Sequence, residues 1–339
     1  MAGKLRIGII GAGRIGKLHA ENIANFVPQA KLEGIADVVM TPEMEAWAKG
    51  LGARIVAKDP KALFADKDID AIIICSSTDT HADMAIAAAK AGKHIFCEKP
   101  VDLTVAKVKA AIEAVKAAKV KMQVGFNRRF DHNFRAVREM TLAGKVGDVQ
   151  IVKITSRDPA PPPPAYVGVS GGIFLDMMIH DFDMARFQAG SEVVEVHATG
   201  AVLIDPAIGK AGDVDTAIVT LKFANGALGV IDNSRKAVYG YDQRVEVFGS
   251  KGCAQAENDT PSTVKLSSVD GVVADKPMWF FLERYRAAFI DEMIAFVSAI
   301  QEGKDLPVTG EDGLRDLLVG LAAKKSLAEN RSVRIDEIV

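Results

Sequence analysis

Between Lys4 and Gly125 short apolar runs alternate with stretches of helical periodicity. Strands are predicted over Arg6–Ile10, Leu32–Ala36, Ala71–Cys75, His94–Cys97 and Lys121–Val124, with helices over Arg14–Phe26, Asp83–Ala91 and Val105–Ala118. Ile72, Ile73, Ile74 and Cys75 are apolar without alternation, as in a parallel strand covered on both faces. Strand and helix in regular turn give a doubly wound parallel sheet.

After Gly125 the pattern changes. Val149–Thr155, Val193–Leu203, Thr216–Phe223, Leu228–Ser234, Arg244–Phe248 and Val264–Ser268 are strand-like, separated by turn residues such as Asn225 and Gly226. Few helices lie between them, so a large, mostly antiparallel sheet is expected. Val194, Val196 and Ala198 alternate with Glu195, His197 and Thr199, which gives that sheet one apolar face. One helix, about Gly172–Phe187, interrupts the strands. Phe289, Met293, Phe296 and Ile300 then repeat at helical spacing, and Thr309 to Asp312 reads as a capping box before a helix over Leu314–Leu327. The run Pro161–Pro164 is expected to stiffen a loop into polyproline geometry. The fold class is therefore α/β plus α+β: a Rossmann domain over residues 1–124, then a substrate-binding and oligomerisation domain over 125–339. Helices in about 280–330 are free to pack back on the first domain.

The first strand closes on Gly11, Gly13 and Gly16, the G-x-G-x-x-G pattern of a dinucleotide site. Gly11 makes the tight turn, Gly13 lets the backbone approach a pyrophosphate, and Gly16 lets the helix pack close to the strand. The helix then aims its free N–H groups at the phosphates. Asp37 ends the second strand, twenty-one residues after Gly16. A carboxylate there accepts hydrogen bonds from the adenosine ribose and repels a 2′-phosphate, and Val38 beside it offers that phosphate no cation, so NAD is expected.

Composition narrows the function classes. A net charge of −2 and the lack of a basic stripe give no footprint for nucleic acid. No apolar run approaches the ~20 residues of a membrane span, and residues 1–4 lead into the first strand without a signal-peptide pattern, so a cytoplasmic protein is expected. Cys75, Cys97 and Cys253 are widely spaced, which suggests reduced thiols and neither a disulfide framework nor a metal site.

Two segments carry candidate chemistry. Asp176, His180 and Asp183 stand at i, i+4 and i+7, one face of a helix, and an imidazole beside a carboxylate suits a general base near neutral pH. Lys99, in Glu98-Lys99-Pro100, follows a strand at the carboxyl edge of the sheet and could stabilise a developing alkoxide.

Gly11-Ala-Gly-Arg-Ile-Gly16, Ser77-Thr-Asp-Thr-His81, Glu98-Lys99-Pro100 and the Asp176/His180 helix together resemble the Gfo/Idh/MocA oxidoreductases. Residues 125–131, 156–159, 239–244 and 281–285 are similar to the inositol 2-dehydrogenase branch of that family. The resemblance implies a catalytic set of Lys99, Asp176 and His180. It implies cofactor contacts from Gly11, Gly13, Arg14, Ile15, Gly16, Asp37, Ser77, Thr78, His81, Glu98 and Lys99. It gives polyol contacts to Lys99, Arg128, Asp158, Asp176, His180 and Tyr241, and it implies a homo-oligomer, with a tetramer favoured. The expected reaction is oxidation of the axial C2 hydroxyl of myo-inositol by NAD, with His180 taking the proton while Asp176 orients it. Phe289 stands where related enzymes often have Tyr. Two rival readings remain: a dehydrogenase for another inositol isomer or an aldose, and a non-catalytic dinucleotide sensor. Retention of Lys99, Asp176 and His180 argues against the sensor.

Overall fold

The structure, a computed structural model, describes residues 3–338. The chain divides into two compact units, one built from residues up to Asn127 and from Ala287–Leu317, the other from Arg128–Arg286 and the residues after Leu317.

In the first unit six strands run β1 (Leu5–Ile10), β2 (Ala30–Ala36), β3 (Ile55–Ala57), β4 (Ala71–Ile74), β5 (His94–Glu98) and β6 (Met122–Gly125). All are parallel, in the order β3-β2-β1-β4-β5-β6, so the strand order reverses beside β1. β3 has no counterpart in the sequence reading, because three half-buried residues carry too short a pattern. Ile7, Ile9, Ile72 and Ile73 are fully buried, as expected of strands covered on both faces. Part of that cover comes from far along the chain. Met293, Phe296 and Val297 of the helix Arg286–Gln301 join the same core cluster as Ile7, Ile9 and Phe96, and Phe296 meets the Phe96 ring edge-on at 5.8 Å. Of the expected capping box the Asp312 half is seen: Asp312 Oδ2 accepts the Thr309 backbone N–H at 2.8 Å and also its hydroxyl at 3.0 Å, at the start of the helix Gly310–Glu329.

The second unit holds a seven-stranded sheet in the order β12-β11-β7-β10-β9-β8-β15. Its strands are β7 (Val149–Arg157), β8 (Val193–Ala201), β9 (Thr216–Phe223), β10 (Leu228–Ser234), β11 (Asp242–Gly249), β12 (Gly252–Ala256) and β15 (Val333–Arg334). Only the central β7–β10 pair is parallel. The strand expected at Val264–Ser268 lies outside this sheet. It forms a separate two-stranded hairpin, β13 (Lys265–Ser268) with β14 (Gly271–Ala274). The alternation expected in β8 holds at Val196 and Ala198, but a bulge between Val193 and Glu195 puts Val193, not Val194, into the core. One face of the sheet is covered; for example, the helix Ile179–Ala189 packs on β7. The other face is open and carries a cross-strand row of Phe248, Ile151 and Leu228, each more than 40% exposed. The proline run differs from its expected geometry at its last member, since Pro164 opens a helix over Pro164–Ser170.

Candidate active site

In the first unit the expected cofactor residues gather at the carboxyl ends of β1, β2, β4 and β5. Gly11 has φ +92°, a conformation L side chains rarely adopt, and a Cβ on Gly16 would lie 1.8 Å from the Gly11 carbonyl oxygen. A Cβ on Gly13, by contrast, would meet nothing within 4 Å. Gly13 is the N-cap of the helix Arg14–Phe26, which has neither a side-chain cap nor an acidic residue in its first turn. The amino end of that helix is therefore suited to an anion, which fits a dinucleotide pyrophosphate. Asp37 is half-buried; its carboxylate accepts the backbone N–H of Ala12 at 2.6 Å and of Val39 at 2.8 Å. Each oxygen keeps a further lone pair, so this fixed carboxylate can still receive ribose hydroxyls.

Ser77 and Thr78 form the exposed and half-exposed start of a 3-10 turn after β4. His81 behaves otherwise. It is buried, with Nδ1 2.8 Å from the Pro100 carbonyl and Nε2 3.0 Å from the Ser76 carbonyl, so it ties together the turns that follow β4 and β5. Glu98 ends β5 in a buried position, and Lys99 after it is half-buried. Glu98 also belongs to a cluster with His19 and Glu292 that residue spacing did not reveal.

The second unit carries the polar set. The expected single helix over 172–187 is instead a π-helical turn, Ile173–Met177, followed by the α-helix Ile179–Ala189. Gly171 and Gly172, both at positive φ, lead into it. Asp176 sits on the π turn and His180 in the first α turn, so the i, i+4 spacing spans a change of helix type. Asp176 accepts from Tyr166 Oη at 3.0 Å and Arg235 Nη1 at 3.5 Å. His180 is half-buried, with Nδ1 the inward nitrogen. Asp183 does not join them. It is fully buried and forks onto Arg129 at 2.6 to 3.0 Å, an ion pair that fixes the helix to the residues before it.

Arg128 is buried and makes contacts to Asp181 at 2.5 Å, Tyr241 Oη at 3.4 Å and Ser156 Oγ at 3.5 Å, with its guanidinium 5.7 Å above the Tyr285 ring. Burial works against its charge, but Tyr285 and Asp181 hold its pKa above the usual range. The Asp158 carboxyl is pushed up to about 6, chiefly by burial; Asp176 and Asp181 raise it further while Arg235 and Arg128 pull it down. Burial also pushes Tyr241 well up and Tyr285 up to about 12, so both phenols stay protonated donors near neutral pH. Three carboxyls and two guanidiniums therefore meet around Arg128, Asp158, Asp176 and Tyr241, a surface dense in donors and acceptors.

Sequence reasoning missed Asp181, Arg235, Tyr166 and Tyr285. A buried Arg at the end of an apolar strand, as Arg235 is, was the available signal. Phe289 packs edge-on against His19 at 5.8 Å in the first unit. The aromatic hydroxyl beside Arg128 is that of Tyr241, at 3.4 Å.

Two family models match the chain. One, for the oxidoreductase family with an NAD-binding Rossmann fold, covers residues 5–126, and one for the GFO/IDH/MocA C-terminal domain covers 134–255. A myo-inositol 2-dehydrogenase of Thermotoga maritima is 52% identical over 99% of this chain and all of its own length. An inositol 2-dehydrogenase of Rhizobium meliloti is 48% identical over 98% of this chain and 99% of its own. A crystal structure of scyllo-inositol dehydrogenase from Lactobacillus casei, with bound NAD(H) and scyllo-inositol, superposes with a TM-score of 0.91 at 33% identity, covering 98% of this chain and 99% of that one. With its glycine turn, its uncapped helix and its mixed sheet all in place, this chain belongs to the Gfo/Idh/MocA family of NAD-binding Rossmann oxidoreductases.

Proposed function

We propose that this protein oxidises a ring secondary alcohol, myo-inositol at C2, to 2-keto-myo-inositol with NAD. The observation that carries the reading is the polar set of the second unit: Arg128, Asp158, Asp176, Tyr241 and His180 offer more donors and acceptors than a simple alcohol would use. A cyclic polyol has a hydroxyl for each of them. The naming of two full-length relatives near 50% identity as inositol 2-dehydrogenases supports the same substrate.

NAD, when bound, supplies the acceptor for the hydride that leaves the carbinol carbon. The glycine turn, the N–H groups at Arg14 and Ile15, and Asp37 would hold it. His180 takes the hydroxyl proton at Nε2, because Nδ1 is turned into the protein. Asp176, itself held by Tyr166 and Arg235, keeps negative charge near the imidazole as it becomes a cation. Lys99 donates to the reacting hydroxyl or its neighbour and stabilises the alkoxide as it forms. Arg128 is too strongly held as a cation to exchange protons; its role is to orient the ring.

We further place the protein in the cytoplasm as a homo-oligomer, with a tetramer favoured. No described helix is long and apolar enough to cross a membrane. The open sheet face with Ile151, Leu228 and Phe248 supports self-association. The scyllo-inositol activity named for the relative at 33% identity keeps another isomer as the nearest second reading. The deciding experiment is NAD reduction, followed by absorbance, over a panel of inositols and aldoses. Fast turnover of myo-inositol alone is expected; no turnover of any member would leave the non-catalytic sensor as the better account.

A further inference from the structure

An acid without a partner lies in the core of the first unit. Glu292, on the helix Arg286–Gln301, is fully buried, and neither of its carboxyl oxygens has a hydrogen-bond partner among the described residues. Polar atoms of Glu292, Glu98 and His19 lie within 4.8 Å of one another. His19 comes from the first helix and is fully buried; its Nε2 is 2.7 Å from Glu98 Oε1. The imidazole is fixed in turn by Phe96 and Phe289, edge-on at 5.3 and 5.8 Å. Glu98 is confined on another side as well, since a Cβ on Gly125 would stand 3.0 Å from its carboxyl.

The other titratable groups near the cluster are the thiols of Cys75 and Cys97, which burial keeps neutral. Lys99 follows Glu98 in the chain, toward solvent. Two carboxylates cannot both stay ionised this close together in a dry core. His19 Nε2, 2.7 Å from Glu98, can donate to it and steady its charge, and Glu292 has no donor among the described residues, so the proton belongs on Glu292. Burial pushes the Glu292 carboxyl well up, and the charge on Glu98 pushes the same way.

Glu98 is the last residue of β5. In a doubly wound sheet that binds the adenosine at β1 and β2, the nicotinamide half falls to the β4–β6 side. We propose that Glu292 holds a proton so that the cluster presents a single negative charge, on Glu98, and that this charge favours the cationic oxidised nicotinamide over the neutral reduced one. Glu98 and Glu292 are thus positioning residues for the cofactor's charge state. The inference rests on the NAD part of the proposed function and not on the polyol part, so failure to oxidise inositol with NAD binding intact would leave it standing.

The test reads binding and protonation. Infrared difference spectra of the apo protein near pH 7 should show the carbonyl band of a neutral carboxylic acid that Glu292→Gln removes. The ratio of NADH to NAD dissociation constants should fall about threefold or more in Glu98→Gln. In the wild type that ratio should grow on the alkaline side as Glu292 ionises and adds a second negative charge, and Glu292→Gln should flatten the rise. A folded-state pKa raised above the unfolded one means stability that is full at low pH and lost as pH rises through the folded value. The apo melting temperature of Glu292→Gln should therefore fall less on the alkaline side than that of the wild type. Absence of the acid band, an unchanged ratio in Glu98→Gln, or one equivalent of zinc or manganese in the purified protein would overturn the proposal. Should Glu292→Gln not fold, the wild-type band and metal content still decide.

Discussion

Near pH 6 the Asp158 carboxyl passes from a group that can donate one hydrogen bond to one that only accepts. If the ionised form receives polyol hydroxyls, KM for inositol should rise as pH falls through about 6, and Asp158→Asn should lose that limb of the kcat/KM profile. The same shift has a stability side. The folded pKa lies above the unfolded one, so the contribution of Asp158 is full below about pH 4 and is lost as pH climbs through about 6. Thermal melts of Asp158→Asn should accordingly decline less than wild type between those values. For His180→Ala a loss of roughly 10² to 10⁴ in kcat is expected, with NAD affinity near wild type by fluorescence titration. More than half of wild-type turnover would reduce the helix to a structural face. At this scale the readable residues were those whose task is local: Gly11, Gly13, Gly16 and Asp37 announce themselves by spacing. Arg235 and Glu292 did not, because the neighbours that give them meaning, Asp176 and Glu98, stand 59 and 194 positions away in the chain. No periodicity links such pairs.

Elements were legible where their pattern was long. The strand pairs β1–β2 and β9–β10 and the helix Val105–Ala118 follow from apolar runs bounded by turns. The π turn at Ile173–Met177 was not legible, since one extra residue in a helix changes neither composition nor apolar content. The hairpin β13–β14 has the alternation of a sheet strand, and only tertiary structure shows that it pairs with nothing larger. The glycine turn allows a sharper test. Gly16→Ala would force a methyl to 1.8 Å from the backbone carbonyl oxygen of Gly11, in the turn that leaves β1, so a loss on the order of 3 kcal/mol is expected in denaturant melts. Gly13→Ala meets nothing within 4 Å. It should melt like wild type while binding NAD more weakly, because the methyl takes space at the helix end that the pyrophosphate needs. Equal behaviour of the two variants in both assays would refute this division of labour.

For the whole molecule the parallel sheet and the mostly antiparallel one were readable from the switch between strand–helix alternation and strand–turn alternation at Gly125, but the parallel β7–β10 pair was not, since it joins strands 70 and more residues apart. The open face of the second sheet makes one prediction at this scale. Phe248, Ile151 and Leu228 are aligned across β11, β7 and β10, so a single charge in the middle of the row should spoil a self-complementary contact. Ile151→Lys is expected to shift the light-scattering mass toward that of one chain at micromolar concentration, with circular dichroism unchanged. A wild type already at that mass would refute self-association through this face. Return of residues 287–317 to the first unit has a further consequence during synthesis on the ribosome. Met293, Phe296 and Val297 finish a core whose opening strand, with Ile7 and Ile9, emerges almost three hundred residues earlier. Until they arrive, the nascent parallel sheet shows water an apolar flank, and domain-by-domain folding from the amino terminus cannot close there. A fragment ending at Asn127 should therefore collect in inclusion bodies and bind chaperones, and soluble yield should recover when residues 287–317 are supplied on a linker. Vectorial synthesis thus leaves the cofactor unit waiting for nearly the last of the chain.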